Sequence, residues 1–142
     1  MMHSILLVES EPAIHQVVRM VLEERGYAVC SAYTAAQAAA QLDRQRPAAV
    51  LANLILPDQN GLDLCRSIRD REECVALPIL LLSGRCRRGD ADRARMAGAT
   101  TLLTLPFDDR AVLGWLDAVQ VAAEPPATAG SIASGALPSA AS

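Results

Sequence analysis

Five short apolar runs, each separated from the next by a stretch with helical spacing, leave this chain few architectures to adopt. Residues 5 to 9, ILLVE, form the first strand. Glu11 and Pro12 then open a helix in which Ile14, Val17, Val18, Val21 and Leu22 recur at helical spacing until Gly26 ends it. YAVCSA, residues 27 to 32, is the second strand, and Thr34 caps a second helix, TAAQAAAQLDRQ, whose alanines favour helix but bury little area. Pro47 restarts the chain as a strand ending at Asn53, and Gly61 leads into a third helix through about Arg71. Residues 79 to 83 are the fourth strand; a short helix follows around 89 to 97, Gly98 stops it, and residues 100 to 104 are the fifth strand. Asp108 and Asp109 begin a last helix with Val112, Trp115, Leu116 and Val119 as its inward stripe. Strands that alternate with helices pair in parallel, because each helix carries the chain back to the edge where the next strand starts. The expectation is an α/β fold: a doubly wound five-stranded parallel sheet flanked by five helices. Such sheets place their ligand site at the carboxyl ends of the strands, where the strand order reverses.

A chain of 142 residues with 51% hydrophobic content is sized for one compact domain. From Glu124 the sequence becomes EPPATAGSIASGALPSAAS, which carries no further charge and too little apolar area to offset the entropy of ordering. Residues 1–123 are therefore read as the folded domain and 124–142 as a flexible tail or a linker to a further domain. The formal net charge of −3 argues against a nucleic-acid-binding surface. Arg85, Arg87, Arg88, Arg93 and Arg95 are the nearest thing to a basic patch, but Asp90 and Asp92 interleave with them as on a solvated face. No apolar run reaches the roughly 18 residues of a membrane span, so a cytoplasmic protein without membrane contact is expected. Cys30, Cys65, Cys74 and Cys86 are scattered without a Cys-x-x-Cys pair, and His3 and His15 stand apart from them. Packed reduced thiols are expected rather than zinc, with Cys86, in a loop among arginines, as the candidate redox-sensitive thiol.

The chemistry concentrates at the strand ends. Residues 48 to 61, AAVLANLILPDQNG, place Asn53 at the end of a buried strand, before a Pro57-Asp58 turn that runs to Gly61. Alone, an asparagine there is a turn or cap residue. Its counterparts are Glu9 and Ser10 after the first strand, Ser83 and Gly84 after the fourth, and Leu105, Pro106 and Phe107 after the fifth. Over residues 4 to 120 this set resembles bacterial response-regulator receiver domains, which implies a flavodoxin-like sheet. The resemblance puts Asn53 where the family's aspartate takes a phosphoryl group, and Glu9 and Ser10 where two adjacent acids hold magnesium. It makes Ser83 the hydroxyl that touches the phosphoryl oxygens. Leu105 stands in place of the family's lysine and Leu102 in place of its switch aromatic. All 13 basic residues are arginine, so the lysine is absent from the whole chain. Asp43 and Asp58, the nearest acids, do not fall on the strand end. The peptide before Pro106 is expected to be cis, as in the family.

Phosphoryl transfer to a carboxylate needs an anionic nucleophile, a divalent cation and a charge clamp. The resemblance implies that all three are impaired. Any magnesium would rest on Glu9, Asn53 and Ile55, with far less negative charge than three acids supply, so no cofactor and no catalytic residue are expected. The reading is a degenerate pseudo-receiver in two-component or phosphorelay signalling that acts by binding a protein partner, a histidine kinase or a downstream signalling protein. A homodimer stays open, although Thr100 and Thr101 replace acids that many DNA-binding members use in a dimer network. The alternatives are phosphorylation at Asp58 or Ser83, a small-molecule sensor with Leu105 lining a less charged pocket, and a scaffold that positions a neighbour.

Overall fold

The computed structural model describes residues 3–84, 87–104 and 109–123. The apolar runs become β1 (Ser4–Val8), β2 (Ala28–Ala32), β3 (Ala49–Asn53), β4 (Ile79–Ser83) and β5 (Thr101–Thr104). In β3 and β4 the burial is nearly continuous rather than alternating, as it must be for strands covered on both faces. All four pairings are parallel, and the order across the sheet is β2-β1-β3-β4-β5. The order therefore reverses between β1 and β3, which lie side by side with Val8 opposite Ala52. The next residues along, Glu9 and Asn53, end up at the same level on the carboxyl edge of the sheet.

Five α-helices accompany the strands among the described residues: α1 (Pro12–Glu24), α2 (Ala35–Arg44), α3 (Gly61–Arg69), α4 (Asp90–Met96) and α5 (Asp109–Ala123). The expected five-stranded parallel α/β fold with five helices is what the structure shows. The chain separates into two compact units, one holding the sheet with α1 to α4 and one holding α5. In the first, Leu6, Val8, Val50, Ala52, Ile79 and Leu81 of the sheet pack with Ala35, Ala38 and Leu42 of α2 and Leu64 and Ile68 of α3. In the second, Val112, Leu113 and Leu116 are buried and Trp115 is half-buried. The tail from 124 to 142, Cys86, Asp108 and the Leu105-Pro106-Phe107 segment with its expected cis peptide lie outside the described residues, as does the Val119 side chain.

Several local expectations are corrected. Val17, one of the apolar positions at helical spacing in α1, is 52% exposed, and His15 takes an inward place at 2%. His15, Val18 and Leu22 line one face at i, i+3 and i+7, which leaves Val17 more than a third of a turn round the helix from the middle of that face. The third helix stops at Arg69 rather than Arg71, and a 3-10 turn, Glu72–Cys74, follows it. β1 ends at Val8, one residue before Glu9, and β5 begins at Thr101. Thr100 precedes it because its hydroxyl accepts from Ile79 N at 3.0 Å while its own N–H donates to Ile79 O at 2.8 Å, a side-chain end to the ladder.

The α2 N-terminus is held from two directions. Thr34 Oγ1 accepts from Gln37 N at 3.0 Å, as the cap read from the sequence requires, and Gln37 Oε1 accepts from Tyr33 N at 2.8 Å. The second holder comes from 22 residues further along: both carboxylate oxygens of Asp58 accept backbone N–H groups, from Ala35 and Ala36, each at 2.9 Å. The same β3-α3 turn closes through Gly61, whose N–H donates to Leu54 O at 2.6 Å.

Two outcomes follow from this turn. A Cβ at Gly61 would stand 2.7 Å from Asn53 O and 2.9 Å from Leu54 Cα, both backbone, so Gly61→Ala is expected to cost about 1–3 kcal/mol in a urea titration through overpacking. The Ala35 and Ala36 amides, in that order, hold the Asp58 carboxyl below its ordinary value of 3.8. A depressed carboxyl contributes stability above its unfolded pKa and loses it as pH falls through the folded value. Asp58→Ala is therefore expected to lower the melting temperature by a few degrees at neutral pH, with the gap to wild type closing as the pH drops below 3.8.

Candidate functional site

Glu9 is a carboxylate at 2% exposure, and the structure answers its burial with donors. Asn53 Nδ2 donates to Glu9 Oε1 at 2.7 Å, and Glu11 N donates to Glu9 Oε2 at 2.9 Å. Asn53 Oδ1 in turn accepts from Ile55 N at 2.8 Å. Only one orientation of the carboxamide satisfies both contacts. Turned over, its oxygen would face the Glu9 carboxylate and its NH2 would face another N–H. Hydrogen bonds onto an ionised oxygen are the stronger kind, so the pair clips the ends of β1 and β3 together.

This donor set does not fit magnesium, which demands oxygens aimed at it. Asn53 turns an N–H donor toward Glu9, and presenting its oxygen instead would forfeit both of its hydrogen bonds. Ile55, named with them as a weak cation site, has no side-chain donor atom and could offer a cation only its backbone carbonyl, while its N–H goes to Asn53. Among the described residues no group of three His, Cys, Asp or Glu side chains is placed to hold a metal ion.

The structure brings Ser83 to the same edge: it ends β4, is 2% exposed, and lies one residue beyond Leu82, the register partner of Asn53. Ser10 follows Glu9 half-buried. Leu102 lies on β5 opposite Leu81 and packs half-buried against the core, below the strand ends. Leu105 lies outside the described residues. The alternative acceptor Asp58 is exposed, and both of its oxygens cap α2.

His15 is the neighbour that sequence reasoning passed over. Its Nδ1 lies 2.9 Å from Glu9 O and its Nε2 2.8 Å from Ser31 Oγ. A carbonyl only accepts, so Nδ1 carries the proton toward Glu9 and, in the neutral ring, Nε2 accepts from the Ser31 hydroxyl. The ring also stacks on Tyr33, with centroids 4.2 Å apart and planes 16° from parallel. His15 thus ties the exit of β1 to the end of β2. Its spacing from Val18 and Leu22 was the signal that could have found it.

Away from the strand ends, the arginine-rich stretch is partly neutralised from within α4, where Arg93 pairs with Asp90 and Arg95 with Asp92. The Arg87 amide and then the Arg93 guanidinium hold the Asp90 carboxyl below its usual range. Cys65 and Cys74 are buried free thiols, and burial pushes both upward in pKa. A shallow hollow lined by Leu6, Cys30, Gln41, Gln45 and Pro47, away from the strand ends, encloses no room even for a water molecule and is no ligand pocket.

Known proteins share this fold. The family model described as the response regulator receiver domain matches residues 5–117. The KDP operon transcriptional regulatory protein KdpE of Escherichia coli is 34% identical over 106 residues, covering 75% of this chain and 46% of that protein. The phosphate regulon transcriptional regulatory protein PhoB of Rhizobium meliloti is 29% identical over 125 residues, 88% of this chain and 55% of that one. The chain spans about half the length of these curated relatives. Among solved structures, the chemotaxis response regulator CheY4 of Vibrio cholerae superposes with a TM-score of 0.78 at 25% identity, over 84% of this chain and 99% of that one. A parallel sheet in this strand order, with Glu9, Asn53 and Ser83 gathered on its carboxyl edge and a family match across almost the whole described region, places this chain in the response regulator receiver domain family of two-component signalling.

Proposed function

We propose that this receiver works without phosphorylation, as a binding module whose output is a protein contact. The observation that carries this reading is the state of Asn53, which holds the strand-end position with an amide and has both heteroatoms engaged, by Glu9 and by Ile55. An amide nitrogen is a poor nucleophile and forms no acyl-phosphate, so the first requirement of the transfer is missing. The second, a divalent cation, lacks its ligands for the reasons of geometry given above, and no magnesium requirement is proposed. The third, an ammonium to clamp the phosphoryl oxygens, is absent because the chain has no lysine.

Under this reading the domain is not an enzyme, and the bond between Asn53 and the single acid Glu9 keeps the pocket in one state. The occupant of its surface is a histidine kinase or a downstream signalling protein, met in the cytoplasm. No helix among the described residues is long and apolar enough to cross a membrane. Phosphorylation at Asp58 finds little support, since that carboxylate is spent on two backbone amides. Ser83 offers a hydroxyl at 2% exposure, out of easy reach of a kinase.

The test is incubation of the purified chain with acetyl phosphate and magnesium, followed by intact mass and fragmentation. The expected spectrum holds only the unmodified mass, and beryllium fluoride leaves the amide resonances of Glu9, Asn53 and Ser83 in place. A stoichiometric phosphoryl adduct, wherever fragmentation puts it, refutes phosphorylation independence.

A further inference from the structure

A lost acceptor and a replaced cation are different things. Loss alone would leave the buried Glu9 carboxylate facing a gap, with its charge answered by water or by whatever ion is at hand. Here the charge is answered from within, by a side chain of the same edge of the sheet.

We infer that the Asn53 carboxamide is a built-in substitute for a divalent cation: its N–H holds the Glu9 carboxylate at 2.7 Å and joins β1 to β3 where a metal ion would otherwise bridge them. This rests on reading Asn53 as the replaced acceptor position. Three features make the substitution complete. The second Glu9 oxygen is taken by Glu11 N at 2.9 Å, so no oxygen of that carboxylate is left without a donor. The far side of the amide is anchored by Ile55 N at 2.8 Å, which sets the direction of its N–H toward Glu9. The Glu9 backbone is itself pinned, its N–H donating to Ala32 O at 3.0 Å and its carbonyl accepting from the His15 ring at 2.9 Å. The pocket is thereby stable without metal and indifferent to it.

The consequence runs against the intuition that restoring an aspartate repairs the site. In N53D the introduced carboxylate would face Glu9 across a gap now spanned by one hydrogen bond, and two like charges so close and so buried repel. The variant would need a cation that the wild-type chain does not.

The full chain is melted in EDTA and in millimolar magnesium, as wild type, N53D and the double variant E9Q/N53D. The wild type is expected to melt at the same temperature in both buffers. N53D is expected to melt at least about 5 °C lower in EDTA and to recover in magnesium. E9Q/N53D, in which a glutamine amide can donate to the new carboxylate, is expected to recover in EDTA and to ignore magnesium. The double variant keeps the test decisive should N53D fail to fold in EDTA. A wild type that gains several degrees from magnesium, an N53D as stable as wild type in EDTA, or a double variant that does not recover would each overturn the inference. A magnesium response in the wild type would leave the phosphorylation-independent reading standing. That reading is lost only to a covalent phosphate, which mass and not melting detects.

Discussion

Burial of one carboxylate at the crossing of the sheet governs much of what surrounds it. Glu9 leaves β1 at the point where the strand order reverses, and at 2% exposure it cannot rely on solvent. An unpaired ionised group there would cost far more than the hydrogen bonds that now satisfy it return. Each neighbouring element contributes to the answer: the start of α1 through Glu11 N, β2 through Ala32 O on the Glu9 amide, α1 again through His15, and β3 through Asn53. The carboxyl edge is therefore a network with no loose end among these groups, and such a network resists partial change because removing one member strands another.

The turn after β3 extends that network to the next layer. Asn53 Oδ1 fixes Ile55, Leu54 O receives Gly61 N, and Asp58 reaches α2 with both oxygens. A sequence with the look of a phosphorylation loop is employed here as a brace between β3, α3 and α2. Arg69 does similar work on the other side of α3, donating to Gly98 O and Cys74 O at 2.8 Å each while its stem lies where a Cβ on Gly98 would have to go. These are structural uses of charged side chains, in which the group is valued for directed hydrogen bonds and not for reactivity.

Removing charge from a crowded pocket has two effects of opposite sign for function. Under the proposed reading, transfer chemistry is without its nucleophile, its cation and its clamp. The fold loses the mutual repulsion of several buried acids, and replacement of buried charges by neutral groups is often neutral or stabilising. A receiver that trades the first for the second becomes a firmer platform for a partner. Leu102 packs half-buried against the core, and β5, Thr101–Thr104, carries no aromatic ring.

How far the sequence speaks depends on the range of the interaction concerned. Alternating apolar runs were enough for five parallel strands with helices between them, because strand and helix periods are local properties and the return of each helix forces parallel pairing. Asn53, Glu9 and Ser83 were legible as one site because an α/β sheet collects its strand ends on a single edge. The Thr34 cap was legible because it is local, lying three residues from the amide it serves. The pairing of Asn53 with Glu9 spans 44 residues, the capping of α2 by Asp58 spans 22 to 23, and the link from His15 to Ser31 spans 16. No periodicity carries such information, since which donor meets which acceptor depends on strand register and on the angle at which a turn presents its side chain. The sequence by itself determined the layers, the edge on which chemistry gathers and the asparagine that ends β3. Tertiary structure alone decided that this asparagine holds Glu9 by a hydrogen bond, because only the register of β1 against β3 brings its amide within reach of a buried carboxylate.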